Sequence, residues 1–164
     1  MMASKITPCL WFDGKAEEAA KFYTSLFPNS RIDKINRSPA DTPSGPAGMV
    51  LTVDFTVAGQ PFMGLNGGPD FKFNEAVSFS IDCEDQAEVD KYWDTLIAGG
   101  GEPSVCGWLK DRFGLSWQVI PRQLVEYMES PDREAAKRAT EAMLQMTKID
   151  VEKLREAVEG DVKV

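Results

Sequence analysis

The sequence predicts an α+β fold: two βαβββ modules forming a curved mixed sheet around a pocket, with helices appended at the C-terminus. Three observations predict it. Apolar runs and breakers between residues 6 and 66 follow one order, the same order restarts after Gly67-Gly68-Pro69, and the helix of each copy aligns with the other at a spacing of 70 residues.

Ile6 to Phe12 is short, apolar and closed by Asp13-Gly14, the pattern of a buried strand. Lys15 to Phe27 places Ala19, Phe22, Tyr23, Leu26 and Phe27 on one helical stripe, and Pro28-Asn29 ends it. Arg31 to Arg37 reads as a strand. Ser38 to Gly48 reads as a loop, because Pro39, Pro43 and Pro46 interrupt any regular element. Met49 to Val57 alternates as a strand, Ala58-Gly59-Gln60 turns the chain, and Pro61 to Asn66 returns as the second arm of a hairpin. In the second copy, Ala76 to Asp82 alternates through Val77, Phe79 and Ile81. Asp85, with Glu88 three residues on, makes a capping-box signal. The helix that follows carries Val89, Trp93, Leu96 and Ile97 on one face to about Ala98, and Gly99-Gly100-Gly101 stops it. Pro103 to Gly107, Trp108 to Arg112 and Leu115 to Ile120 are three short strands.

The two helices match without a gap: Glu18 with Glu88, Lys21 with Lys91, Phe22 with Tyr92, Tyr23 with Trp93, Leu26 with Leu96. Amphipathic patterning alone would fix the apolar positions but not the shared Glu and Lys, which argues for an internal duplication. Module one then covers 5–69 and module two 75–121 of a single domain, with a helical extension over 122–158. In that extension Gln123 to Met128 is a turn or two of helix. Ser130-Pro131-Asp132 supplies an N-cap, a first-turn proline and an acidic start for a helix to about Met146. Ile149 and Leu154 flank Asp150 at staple spacing and open a last helix, and Glu159 to Val164 is expected to fray. The extension is expected to pack on a sheet or on a second subunit.

Composition narrows the chemistry. Lys and Arg number 18 against 26 Asp and Glu, a formal net charge of -8, and there is no histidine. That zero removes Ser-His-Asp and Cys-His relays, His-ligated zinc or haem, and the two-His-one-carboxylate iron site. The acidic balance opposes nucleic acid and anionic lipid. Cys9, Cys83 and Cys106 form no CxxC pair, Met1-Met2-Ala3-Ser4-Lys5 leads into no secretory apolar run, and no stretch is long and apolar enough to cross a membrane. A cytoplasmic location is the expectation.

Three segments carry a family likeness: LWFDGKAEEAAKFYTSLFPNS from Leu10 to Ser30, GLNGGP from Gly64 to Pro69, and CGWLKDRFGLSWQVIP from Cys106 to Pro121. On these the chain resembles the vicinal oxygen chelate (glyoxalase/bleomycin resistance/dioxygenase) superfamily, in its PhnB-like branch, often labelled demethylubiquinone methyltransferase-like. The resemblance implies a pocket for a small molecule and pairing of modules within or across subunits. Together with the Ala and Met face of the helix after Asp132, it leads to the expectation of a homodimer. Metal-dependent members take ligands from four strands. Those places fall here on Thr7 or Pro8, Met63 or Gly64, Ala76 and Gln118, so a metal-free site without cofactor is expected, with oxygen ligation through Asp111 and Asp82 as the open alternative. The label's methyl transfer would need a glycine-rich turn leading from a strand into a helix, whereas the triple glycine follows a helix.

The candidate pocket residues are Trp11, Asn66, Cys106, Trp108, Asp111, Trp117 and Gln118. Indoles with a few amides suit a small-molecule wall, although each indole could equally be core and Asn66 could serve a turn. Cys106 is a candidate thiol nucleophile if Lys110, Arg112 or a helix terminus activates it. Asp111 with Lys110 is either an acid–base pair or a surface ion pair in a hairpin turn. Convergence of Cys106, Asp111 and Gln118 on one cavity would favour an enzyme; indoles and amides alone would favour a binding module.

Overall fold

A computed structural model describes residues 4–160. The start read at residues 1–5 and the tail expected to fray at 159–164 lie largely outside them. Two compact units divide the chain, one up to residue 73 and one from residue 74 onward.

In the first unit the chain runs β1 (Cys9–Phe12), α1 (Ala16–Leu26), β2 (Arg31–Arg37), β3 (Val50–Val57) and β4 (Gln60–Asn66). Its sheet has the order β1-β4-β3-β2, with β1 parallel to β4 and the other pairs antiparallel. The second unit repeats this with β5 (Ser78–Cys83), α2 (Gln86–Ile97), β6 (Glu102–Pro103), β7 (Trp108–Lys110) and β8 (Ser116–Pro121) in the order β5-β8-β7-β6. Again only the outer pair, β5 with β8, is parallel. The helices begin at Ala16 and Gln86, the spacing read from the sequence, so the α+β class and the repeated βαβββ order both stand.

Each helix covers one face of its own sheet. α1 buries Ala16, Ala19 and Ala20, whose small methyl groups let the helix lie close; a Cβ placed on Gly64 would stand 3.2 Å from the Ala16 Cβ. Tyr23 stacks on Phe55 with centroids 6.3 Å apart, and Phe55 on Phe62 at 5.6 Å. In the second unit Val89, Trp93 and Leu96 of α2 are buried, as are Leu109, Trp117 and Val119 of the sheet. Each such side chain contributes about 1.5–3 kcal/mol by leaving water. α2 has the expected Asp85 cap, which accepts from the Glu88 N–H (3.0 Å), but Glu88 Oε1 reaches one residue further back than in a capping box and accepts from the Glu84 N–H (3.0 Å).

Past β8 come α3 (Arg122–Met128), α4 (Arg133–Met143) and α5 (Val151–Glu159). They belong to the second unit. Leu124, Ile149 and Leu154 form a buried cluster against which Ile120, Tyr127, Met143 and Met146 pack. Ile149 and Leu154 are thus the two ends of the staple, and Asp150 caps α5 by accepting from the Lys153 N–H. Gln86 at the start of α2 ties this segment down, donating to Ile149 O (3.0 Å) and accepting from the Val151 N–H (2.7 Å).

The differences from expectation have local causes. The cap of α4 is Asp132, which accepts from the Ala135 N–H, rather than Ser130, and the helix ends at Met143 rather than Met146. Its Ala135, Ala136 and Ala139 are buried within the second unit, where α4 packs on α3 and α5, so this face is not open to a second subunit. The strand expected from Pro103 to Gly107 stops at Pro103. Beyond it Cys106 and Gly107 turn through positive φ, and their N–H groups donate to Met146 O and Thr147 O, each at 2.8 Å.

Candidate functional site

The face of the second sheet opposite α2 is polar around one indole. Strand register sets Glu102 beside Lys110, Lys110 beside Ser116 and Ser116 beside Ser78. The next row holds Trp108, Gln118 and Ser80. Alternation sends the residues between them, Leu109, Trp117 and Val119, to the α2 side. At the β6–β7 edge lies a pocket of about 400 Å³, lined by Trp108, Cys106, Val105, Lys110, Glu75 and Glu102 among others. Lys110 Nζ is ion-paired with Glu75. That hydrogen-bonded pair holds the Glu75 carboxyl below its ordinary range and the Lys110 ammonium above its own. Ser116 is also in the wall, fully buried, and its hydroxyl has no hydrogen-bond partner among the described residues.

Of the seven residues singled out in the sequence, two line this pocket. Trp108 is half-buried on the open face, and Cys106 sits at φ +58° in the turn before it. Gln118 shares the open face but lies outside the pocket lining, its Nε2 donating to Ser78 Oγ at 3.0 Å. Trp117 is on the other face, buried in the core beneath α2 and 5.7 Å from the Phe79 ring. Asp111 is buried: Oδ1 accepts from the Phe113 N–H (2.8 Å) and the Leu115 N–H (3.1 Å), and Oδ2 accepts from Trp117 Nε1–H (2.9 Å). It organises the β7–β8 turn, and the surface pairing expected between Lys110 and Asp111 is replaced by the one between Lys110 and Glu75.

The remaining two belong to the first unit. Asn66 is buried at the end of β4, where Oδ1 accepts from the Ala16 N–H and Nδ2 donates to Val50 O, each at 2.9 Å. Trp11 donates from Nε1 to Gly68 O (2.8 Å) and meets Phe71 edge-on with centroids 4.8 Å apart. A Cβ on Gly67 would stand 2.4 Å from its ring, so glycine there is what lets the strand end close over the indole. Glu75, Glu102 and Val105 were missed by sequence reasoning. Only the cross-strand register of Lys110 would have located Glu102, and register is not visible in so short a strand.

The three thiols differ sharply. Burial, followed by the charges of Glu88 and Asp82, pushes the Cys83 thiol up to about 12 from its ordinary 9.0. Cys9 is exposed, its thiol raised by partial desolvation. At neutral pH iodoacetamide should therefore modify Cys9 and Cys106 while sparing Cys83 in the folded chain; peptide mapping reads the order, and early labelling of Cys83 would contradict it. Since folding holds the Cys83 thiol neutral, its contribution to stability is complete below about pH 9 and falls away as pH rises from 9 toward 12.

The metal positions implied by the resemblance do not fit a transition metal. Thr7 or Pro8, Met63 or Gly64, Ala76 and Gln118 offer at best a hydroxyl, a thioether and one amide oxygen, too few and too weak a set of donors for a transition metal. Among the described residues no group of three His, Cys, Asp or Glu side chains gathers to hold an ion, and Asp82, the other half of the oxygen alternative, pairs with Arg122. No described helix is long and apolar enough to cross a membrane.

A family model described as 3-demethylubiquinone-9 3-methyltransferase matches residues 4–120. The chain belongs to that family. Its matched segment ends within β8, and α3, α4 and α5 lie beyond it. Among solved structures, the PhnB protein from Bacillus cereus is 37% identical, covers 72% of this chain and 99% of its own, and superposes with a TM-score of 0.64. Protein PA1353 from Pseudomonas aeruginosa shares the fold at 20% identity, with coverage of 73% and 98% and a TM-score of 0.59. FosX, the fosfomycin resistance protein from Listeria monocytogenes solved with Mn(II) and sulfate, shares it at 14% identity, with coverage of 74% and 91% and a TM-score of 0.50. The identity with PhnB, over most of both chains, places the chain in a PhnB-like branch of that family, and FosX shares its fold alone. No curated protein matches it.

Proposed function

We propose that this PhnB-like chain is a cytoplasmic module that binds a small organic molecule without a metal ion, and a homodimer on the family resemblance alone, since the Ala face of α4 is buried within its own unit. The observation that carries the reading is the second-unit pocket of about 400 Å³, where the Trp108 indole, Val105 and Cys106 form an apolar wall beside a few charged groups. Such a mix fixes orientation through the polar groups and gains affinity from the indole. Cys106, Asp111 and Gln118 do not converge: Asp111 is engaged by the β7–β8 turn, and Gln118 lies outside the pocket lining. An acid–base or nucleophilic site built from those three therefore has no support, and the binding reading rests on the pocket wall itself.

Methyl transfer, named in the family's description, finds no matching feature in these sheets. Gly99-Gly100-Gly101 closes the C-terminal end of α2, where the Gly101 N–H donates to Ile97 O, so these glycines present no helix N-terminus to a nucleotide-like cofactor.

Native mass spectrometry with elemental analysis of the purified chain tests the reading. A co-purifying organic mass, without stoichiometric transition metal, is the expected result. A bound transition metal at one per chain would overturn it. Light scattering at micromolar concentration should give twice the monomer mass; a monomer would remove the dimer from the proposal.

A further inference from the structure

Resting on that reading of the pocket, we infer that its ligand is an organic cation, with an apolar body against Trp108 and an ammonium or amidinium group toward Glu102. The charged lining holds two carboxylates, Glu75 and Glu102, and one ammonium, Lys110. Lys110 Nζ is taken by Glu75, while Glu102 is exposed on β6 directly across the strand pair from Lys110. A carboxylate or phosphate entering here meets a surplus negative charge and has to share the ammonium with Glu75. A cation meets the surplus favourably and gains from the indole face of Trp108, whose ring electrons attract positive charge. The chain's formal net charge of -8 adds a long-range field of the same sign. The pocket's volume of about 400 Å³ accommodates a body of one or two rings.

Three probes of one shape and different charge decide it: naphthylmethylamine, naphthylmethanol and naphthoate. Each is titrated into the full chain and followed by the Trp108 indole N–H in proton–nitrogen correlation spectra, assigned with Trp108→Phe. The amine is expected to bind about tenfold tighter than the alcohol, with naphthoate weakest. Added salt should narrow that gap. Glu102→Gln should bring the amine down to the alcohol's affinity, whereas Lys110→Met, which leaves Glu75 uncompensated, should tighten the amine several-fold. An alcohol or acid that binds as well as the amine overturns the cation inference and leaves the pocket reading intact, as does an amine preference that survives Glu102→Gln. If no probe moves Trp108, the pocket reading itself fails.

Discussion

Replacing Asp111 by alanine is expected to destabilise the second unit by about 3–5 kcal/mol, measured as a shift in urea midpoint at unchanged slope. The carboxylate is buried and receives the N–H groups of Phe113 and Leu115 together with the Trp117 indole N–H. Alanine leaves these donors unsatisfied where water does not replace the lost acceptor. Asp111→Asn separates charge from geometry. Its amide oxygen still accepts from the turn, but the amide NH₂ then faces the Trp117 N–H, donor against donor, so a loss of about 1–3 kcal/mol is expected. The same variants test the role assigned to this residue. If Asp111→Asn abolished ligand binding while the urea midpoint stayed in place, Asp111 would belong to the site rather than to the turn that supports it.

The contrast between Asp111 and Trp108 shows what the sequence made legible. Apolar periodicity and breakers located the helices and most strands, because burial on one face leaves a period that survives in a single chain. The repeat was visible for the same reason: Glu88 and Lys91 stand where Glu18 and Lys21 stand, and the two sheets then take one strand order. The faces of the sheet were harder. Trp108 and Trp117 look alike as indoles in neighbouring short strands. Yet the hairpin register puts Trp108 opposite Gln118 on the open side, and Trp117 opposite Leu109 beneath α2. A one-residue shift would exchange them, and a three-residue strand such as β7 carries too little alternation to fix it. Polar groups engaged across long sequence separations were not legible at all. Asp111 beside Lys110 suggests a charge pair, whereas its partners are backbone donors and an indole six residues away.

Asn66→Ala is expected to cost the first unit about 2–4 kcal/mol, more than the same change at the cap of α2, because the two repeats secure their helices differently. α2 is capped by its own Asp85, which receives the Glu88 N–H at an exposed helix end; Asp85→Ala should cost only about 1 kcal/mol. The residue at the matching place in α1 is Lys15, which makes no side-chain cap. Its role passes to Asn66 at the end of β4, which accepts the N–H of Ala16, 50 residues away, and donates to Val50 O. One buried amide therefore joins the start of α1 to β4 and to the first residue of β3, and alanine orphans a donor and an acceptor together. Asn66→Asp should fall between. Its carboxylate still receives the Ala16 N–H and suits the positive end of the helix, but it has no hydrogen for Val50 O. Amide exchange distinguishes this account from a loss of general packing. Protection should fall first at the start of α1 and the adjoining end of β3, while α2 and the second sheet keep theirs; uniform loss across both units would show that Asn66 is not acting as a local tie.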